Sequence, residues 1–298
     1  MSTTSATKHA AKNEDEADPG PDSEPVGRGG RFGRILRSPL GWTVTGLVGV
    51  GLVASVTATG PGPVPVLGAA AAVAVYALVM RRLAGRATPE IARPGALREA
   101  LLGGGIGLGF ILVSLLLISS FGGYSFSWAG KSLLPVVGSA VMVQIGTAVT
   151  EELMFRGLFL QGLEQRWGSR IAIVVTAVVF GAAHLGGAGA GLWSALAIAL
   201  QAGVMLGAAY LWRRSIWFVS GLHFAWNTVQ QLAGVPLSGH TPDGLFTVEA
   251  RGSSLLTGGN FGLEASVVPI LLSVLITVPM FVVARRGGSL LPRRRALH

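Results

Sequence analysis

A bundle of membrane-spanning α-helices is the fold class this sequence predicts, and three observations lead there. Of 298 residues, 50% are hydrophobic and only 12% charged, with a mean hydropathy of +0.59, whereas a soluble domain carries roughly a quarter charged residues. The apolar residues fall into long uncharged runs, and a hydrocarbon core of about 30 Å demands about 20 such residues of a helix. These runs are continuous, where barrel strands alternate apolar and polar residues in segments of about ten. The expected class is therefore all-α, a polytopic bundle with about eight transmembrane helices.

Residues 1–39 read as a polar tail, acidic first (Glu14, Asp15, Glu16, Asp18, Asp22, Glu24) and then basic (Arg28, Arg31, Arg34, Arg37). Too few apolar residues stand there to offset ordering entropy, so disorder is expected, and the acidic start argues against a signal peptide. Apolar segments follow near 40–58, 63–80, 99–120, 132–165, 170–187, 191–212, 215–235 and 265–284. Gly60-Pro61-Gly62-Pro63 marks a tight turn between the first two. Residues 236–263 form the one sizeable loop on the side away from the arginines, as a lid or a connector. The layout is thus a cytoplasmic tail over 1–39, a membrane domain over 40–285 with its chemistry at about 132–235, and a basic cytoplasmic tail over 286–298.

Arginines test the count. They crowd the tail, the loop after the second span (Arg81, Arg82, Arg86, Arg93, Arg98), the fourth turn (Arg166, Arg170), the sixth (Arg213, Arg214) and the C-terminus (Arg285, Arg286, Arg293, Arg294, Arg295). The intervening loops hold only Lys131 and Arg251. Basic loops on one side only are what eight spans with both termini cytoplasmic require, here in the inner (plasma) membrane of a cell. The net charge of +9 therefore reports topology and the bilayer, not a nucleic-acid partner. With no Cys in the chain, disulfides, thiolate metal sites and a thiol nucleophile are excluded.

Ionisable groups inside a bilayer are costly and mark function by default. Away from the segment ends they number very few: Glu151, Glu152 and Arg156 in the fourth segment, His184 in the fifth and His223 in the seventh. Glu152 and Arg156 stand i,i+4, the spacing of a helical ion pair, while Glu151 points about 100° away and still needs a partner. Two adjacent carboxylates sharing one cation suit proton transfer. Asn227 follows His223 by four residues and shares its face. Glu152 lies 16 residues before Gly168 and His184 lies 16 after it, so an antiparallel hairpin turning at Gly168 holds both about 24 Å from the turn.

Glu151-Glu152-Leu153-Met154-Phe155-Arg156, Phe180-x-x-x-His184 and His223-x-x-x-Asn227 together resemble the CPBP family, the CAAX prenyl endopeptidases and bacteriocin-processing enzymes also called the Abi family of intramembrane proteases. The resemblance covers about residues 145–232, and elsewhere the match is in hydrophobicity alone. It implies that Glu151 activates water held by His184, that Glu152 and Arg156 orient the site, and that His223 and Asn227 polarise the scissile carbonyl. It also implies Zn²⁺ on Glu151, His184 and His223, a donor set adequate for a catalytic zinc, or a metal-free reaction in which the same groups act as base and donors. The expected activity is intramembrane hydrolysis of a peptide bond in a membrane-associated protein or peptide. The alternatives are a non-catalytic immunity or scaffold protein of the same family and, with less support, a proton-coupled carrier.

Overall fold

The computed structural model describes residues 31–293, so most of the tail expected over 1–39, and residues 294–298 of the basic tail, lie outside the described residues. The last part of the N-terminal tail is ordered as helix α1 (Arg31–Arg37), which hands over at once to α2 (Pro39–Thr57). Ser38 makes that handover. Its side chain accepts the Gly41 N–H at 3.1 Å, and Pro39 costs nothing at the first helical position because its missing N–H would have had no partner there.

After the Gly60–Pro63 turn come α3 (Val64–Arg82) and α4 (Ala96–Ser120), then a short strand β1 (Tyr124–Trp128) and α5 (Leu133–Glu152). A π-helical segment, Leu153–Leu160, carries α5 into α6 (Gln161–Ala183). Helix α7 (Leu192–Ile198) runs through a second π-helical segment, Ala199–Met205, into α8 (Leu206–Arg213). Then follow α9 (Ile216–Leu232), strand β2 (Phe246–Ala250), the single turn α10 (Ser254–Thr257) and α11 (Val267–Arg286).

All eight apolar segments are helical, but among the described residues six helices are long and apolar enough to cross a membrane. Two physical reasons separate six from eight. Leu133–Ala183 forms one 51-residue helical run, reversing only at Gly168 (φ 77, ψ 167), a backbone region open to Gly alone. Helix α9 has 17 residues, about 26 Å, short of the about 30 Å of a hydrocarbon core. The chain is nonetheless a multi-pass helical membrane protein.

Close backbone contact seats α9 on α4 at three glycines. A Cβ on Gly103 would stand 1.9 Å from the Phe218 carbonyl oxygen, one on Gly107 2.2 Å from that of Leu222, and one on Gly221 2.1 Å from that of Ala100. Small residues four apart allow such approach in lipid, where tight packing replaces the hydrophobic drive. Phe110 of α4 meets Trp226 of α9 edge-on, with ring centroids 5.2 Å apart.

The 236–263 loop is partly structured. Strand β2 pairs antiparallel with β1, from Tyr124 opposite Ala250 to Trp128 opposite Phe246, so the two long loops of that side form one cap. At the other end, Ser169 exchanges hydrogen bonds with Leu291 (backbone N–H to O 3.0 Å, Leu291 N–H to Ser169 Oγ 2.8 Å). That pair docks the chain after α11 into the Gly168 corner, and Arg214 clamps the corner through Glu164 at 2.7 and 2.8 Å.

Candidate active site

The site forms where α5, α6, α9 and the second π-helical segment meet. Glu152, fully buried, is its hub. One oxygen, Oε1, accepts Nη1–H of Arg156 at 2.8 Å and Nδ1–H of His223 at 2.9 Å. The other, Oε2, is buried without a hydrogen-bond partner among the described residues. The carboxylate only accepts, so Nδ1 of His223 must carry a proton, and Nε2 is left to face Glu151. There it stands 4.0 Å from Oε2 of Glu151. That is too long for a direct hydrogen bond and about right for one water in between.

Burial divides the two acids. The Glu151 side chain is 32% exposed and that of Glu152 0%. Glu151 is thus the carboxylate that water and substrate can reach, and Glu152 the one that holds its neighbours in place. The partner that the sequence left open for Glu151 is His223. With a proton on each nitrogen, His223 and Arg156 balance Glu151 and Glu152 to zero net charge, the state a low-dielectric interior tolerates best.

Arg156, 2% exposed, is satisfied by groups that sequence reasoning missed. Its Nη2 donates to the Ala202 carbonyl and, at 3.4 Å, to that of Gly203. Both lie in the π-helical segment Ala199–Met205, and Arg156 itself lies in the other, Leu153–Leu160. Such helices space their hydrogen bonds one residue wider and recur at functional sites. Gly203 also lets α6 close in, since a Cβ there would lie 2.6 Å from Ala177 Cα.

Phe180 joins the fifth segment to this cluster. Its ring lies under the Arg156 guanidinium, 5.2 Å from Cζ to centroid, within cation–π range. It also meets Phe155 at 4.6 Å and stacks on the His184 imidazole at 4.7 Å and 23°. Arg156 and Phe180 each lie 12 residues from Gly168, so the hairpin does hold them level. His184 Nδ1 lies 2.8 Å from the Phe180 carbonyl oxygen. A carbonyl only accepts, so Nδ1 carries the proton and Nε2 is the free acceptor. Asn227, 7% exposed, sits one turn beyond His223 on the same face of α9.

The side chains do not form the metal set expected from the resemblance. Among the described residues no group of three or more His, Cys, Asp or Glu side chains stands close enough to hold a metal ion. Glu151 and His223 face each other, but His184 joins them only through Phe180 and Arg156. Zn²⁺ on Glu151, His184 and His223 does not fit this arrangement, and no step below passes through a metal.

Residues 133–229 match the family model described as type II CAAX prenyl endopeptidase, Rce1-like, a stretch that contains every residue of the site just described. The match supports the CPBP/CAAX protease family. No curated protein matches the chain significantly, nor does any solved structure.

Proposed function

We propose, from the premise that residues 133–229 belong to the Rce1-like CAAX prenyl endopeptidases, that this chain hydrolyses a peptide bond of a membrane-associated protein or peptide with water activated by Glu151. The observation that carries the reading is the 4.0 Å gap between Glu151 Oε2 and His223 Nε2, with His223 fixed from behind by Glu152. Water in that gap gives a proton to Glu151, and its oxygen attacks the scissile carbonyl carbon. The second hydrogen of the water stays on the attacking oxygen. The carbonyl oxygen gains the displaced electron pair, and the His223 Nε2–H and the Asn227 amide donate to it. Collapse breaks the C–N bond, and Glu151 returns the proton to the departing amine nitrogen. Glu152 and Arg156 touch no reacting atom and act as positioning residues. On the distribution of arginines we also place both termini in the cytoplasm.

The test uses the purified full chain in lipid nanodiscs with a library of membrane-anchored peptides. Wild type is expected to cleave members of the library and Glu151→Gln to cleave none, with unchanged insertion. Undiminished cleavage by Glu151→Gln would refute the mechanism. No cleavage by wild type would favour the non-catalytic immunity or scaffold role.

A further inference from the structure

A second site lies at the Gly168 corner, roughly 24 Å along the helix from Glu152. There a cavity of about 480 Å³ opens between the start of α6 and the segment after α11. Arg170, Arg285 and Arg293 line it together with Trp167, Ile171 and Leu291, and no acidic side chain does. Elsewhere Arg86 pairs with Glu90, Arg213 with Glu99, Arg214 with Glu164 and Arg251 with Glu249, while Arg81, Arg82 and Arg98 have no carboxylate partner among the described residues and do not line this cavity. The three in the cavity have none among the described residues. Three like charges lining one space repel each other, so an arrangement that gathers them invites an anion.

The corner is also built, not incidental. Gly168 admits no side chain, because a Cβ there would lie 2.8 Å from the Leu291 carbonyl oxygen and from the Arg293 nitrogen. The Ser169–Leu291 hydrogen bonds then dock the segment that carries Arg293 beside the start of the second arm. Helix α11 ends in this place and the second arm of the long hairpin begins, so the cavity sits at a membrane–water interface. An apolar floor beside a cationic rim, with a tryptophan at headgroup level, fits an amphiphile better than a soluble ion.

We infer that this cavity binds the phosphate headgroup of an anionic phospholipid, with Arg170, Arg285 and Arg293 on the phosphate and Trp167, Ile171 and Leu291 against the upper acyl chain. The test compares full-length wild type, the triple variant Arg170→Gln/Arg285→Gln/Arg293→Gln, and a triple of equal charge change elsewhere, Arg81→Gln/Arg82→Gln/Arg98→Gln. Each is purified in a neutral detergent and titrated with micelles doped with phosphatidylglycerol, with phosphatidylcholine, or with inorganic phosphate alone, and retained lipid is counted by native mass spectrometry. Wild type and the control triple are expected to retain phosphatidylglycerol but not phosphatidylcholine. At about 1 kcal/mol per basic residue, the cavity triple should bind roughly a hundredfold more weakly. Equal weakening in both triples would show a general charge effect and overturn the site. Saturation of the site by inorganic phosphate at the concentration where phosphatidylglycerol saturates it would overturn the lipid as occupant.

Discussion

Exchanging either of two adjacent acids for its amide should give two different enzymes, although both lose one negative charge and almost no volume. Glu152→Gln keeps one accepting oxygen but removes the negative charge that offsets Arg156 and His223, in a place where Arg156 is 2% and Glu152 0% exposed. The guanidinium then stays buried with only neutral acceptors in contact, the amide oxygen and the carbonyls of Ala202 and Gly203. Breaking one side of a buried pair costs about 3–5 kcal/mol, which at about 1.4 kcal/mol per tenfold is several hundredfold or more in the folding equilibrium. Glu151 is 32% exposed and meets its imidazole across 4.0 Å, so Glu151→Gln should cost under about 1 kcal/mol. Both variants should fail to cleave. The assay is reversible unfolding in mixed micelles, followed by circular dichroism as the mole fraction of sodium dodecyl sulfate rises. Equal destabilisation by the two amides would refute the division of labour between a reacting acid and a structural one.

Other consequences follow from neighbouring features. Gly107→Leu should separate α9 from α4 and abolish cleavage by displacing His223, whereas Gly105→Ala, which meets nothing within 4 Å, should be neutral or stabilising by up to about 1 kcal/mol; unfolding curves and turnover of the two variants decide it. Phe180→Ala should remove the platform shared by Arg156, Phe155 and His184, cost about 3–5 kcal/mol and reduce cleavage, read in the same two assays. Burial raises the Glu264 carboxyl to about 7. It is accordingly neutral in the folded protein between the unfolded value near 4.5 and about 7. The stability this contributes is full below pH 4.5 and lost as pH rises through 7, by roughly 3 kcal/mol in all. Hydrogen-exchange protection over 233–265, taken relative to the intrinsic base-catalysed rate at each pH, should therefore fall between pH 5 and 8 in wild type and lose that dependence in Glu264→Gln.

The sequence displayed the site more fully than the scaffold. Glu151, Glu152, Arg156, His184 and His223 stood out because charge in lipid is rare and costly, and equal counts from Gly168 placed two arms of a hairpin at one depth. The close approach of α4 to α9 at Gly103, Gly107 and Gly221 was not legible as a pairing, because 44 glycines are spread along the chain. Hydrophobicity says nothing of hydrogen-bond register, so the two π-helical segments were hidden, and with them the carbonyls of Ala202 and Gly203. A run of apolar residues likewise does not reveal a 17-residue α9. Nor did composition show that residues 124–128 and 246–250, far apart in sequence, would pair as strands. The network around Glu264, with Gln230 Nε2 donating to Oε2 at 2.9 Å and Ser238 N–H to Oε1 at 3.2 Å, depends on that same cap.

Between Ala199 and Met205 the helix is wound with one residue more per loop of hydrogen bonds than its neighbours. Deleting Ala199 would let the stretch rewind to the ordinary pitch while leaving the Gln201 side chain, whose Nε2 donates to the Glu264 carbonyl at 2.6 Å, in the chain. With the surplus residue gone the hydrogen-bond ladder closes to the ordinary spacing, and the carbonyls of Ala202 and Gly203 turn away from the cation they serve. Length, more than identity, is what this part of the chain is unable to change.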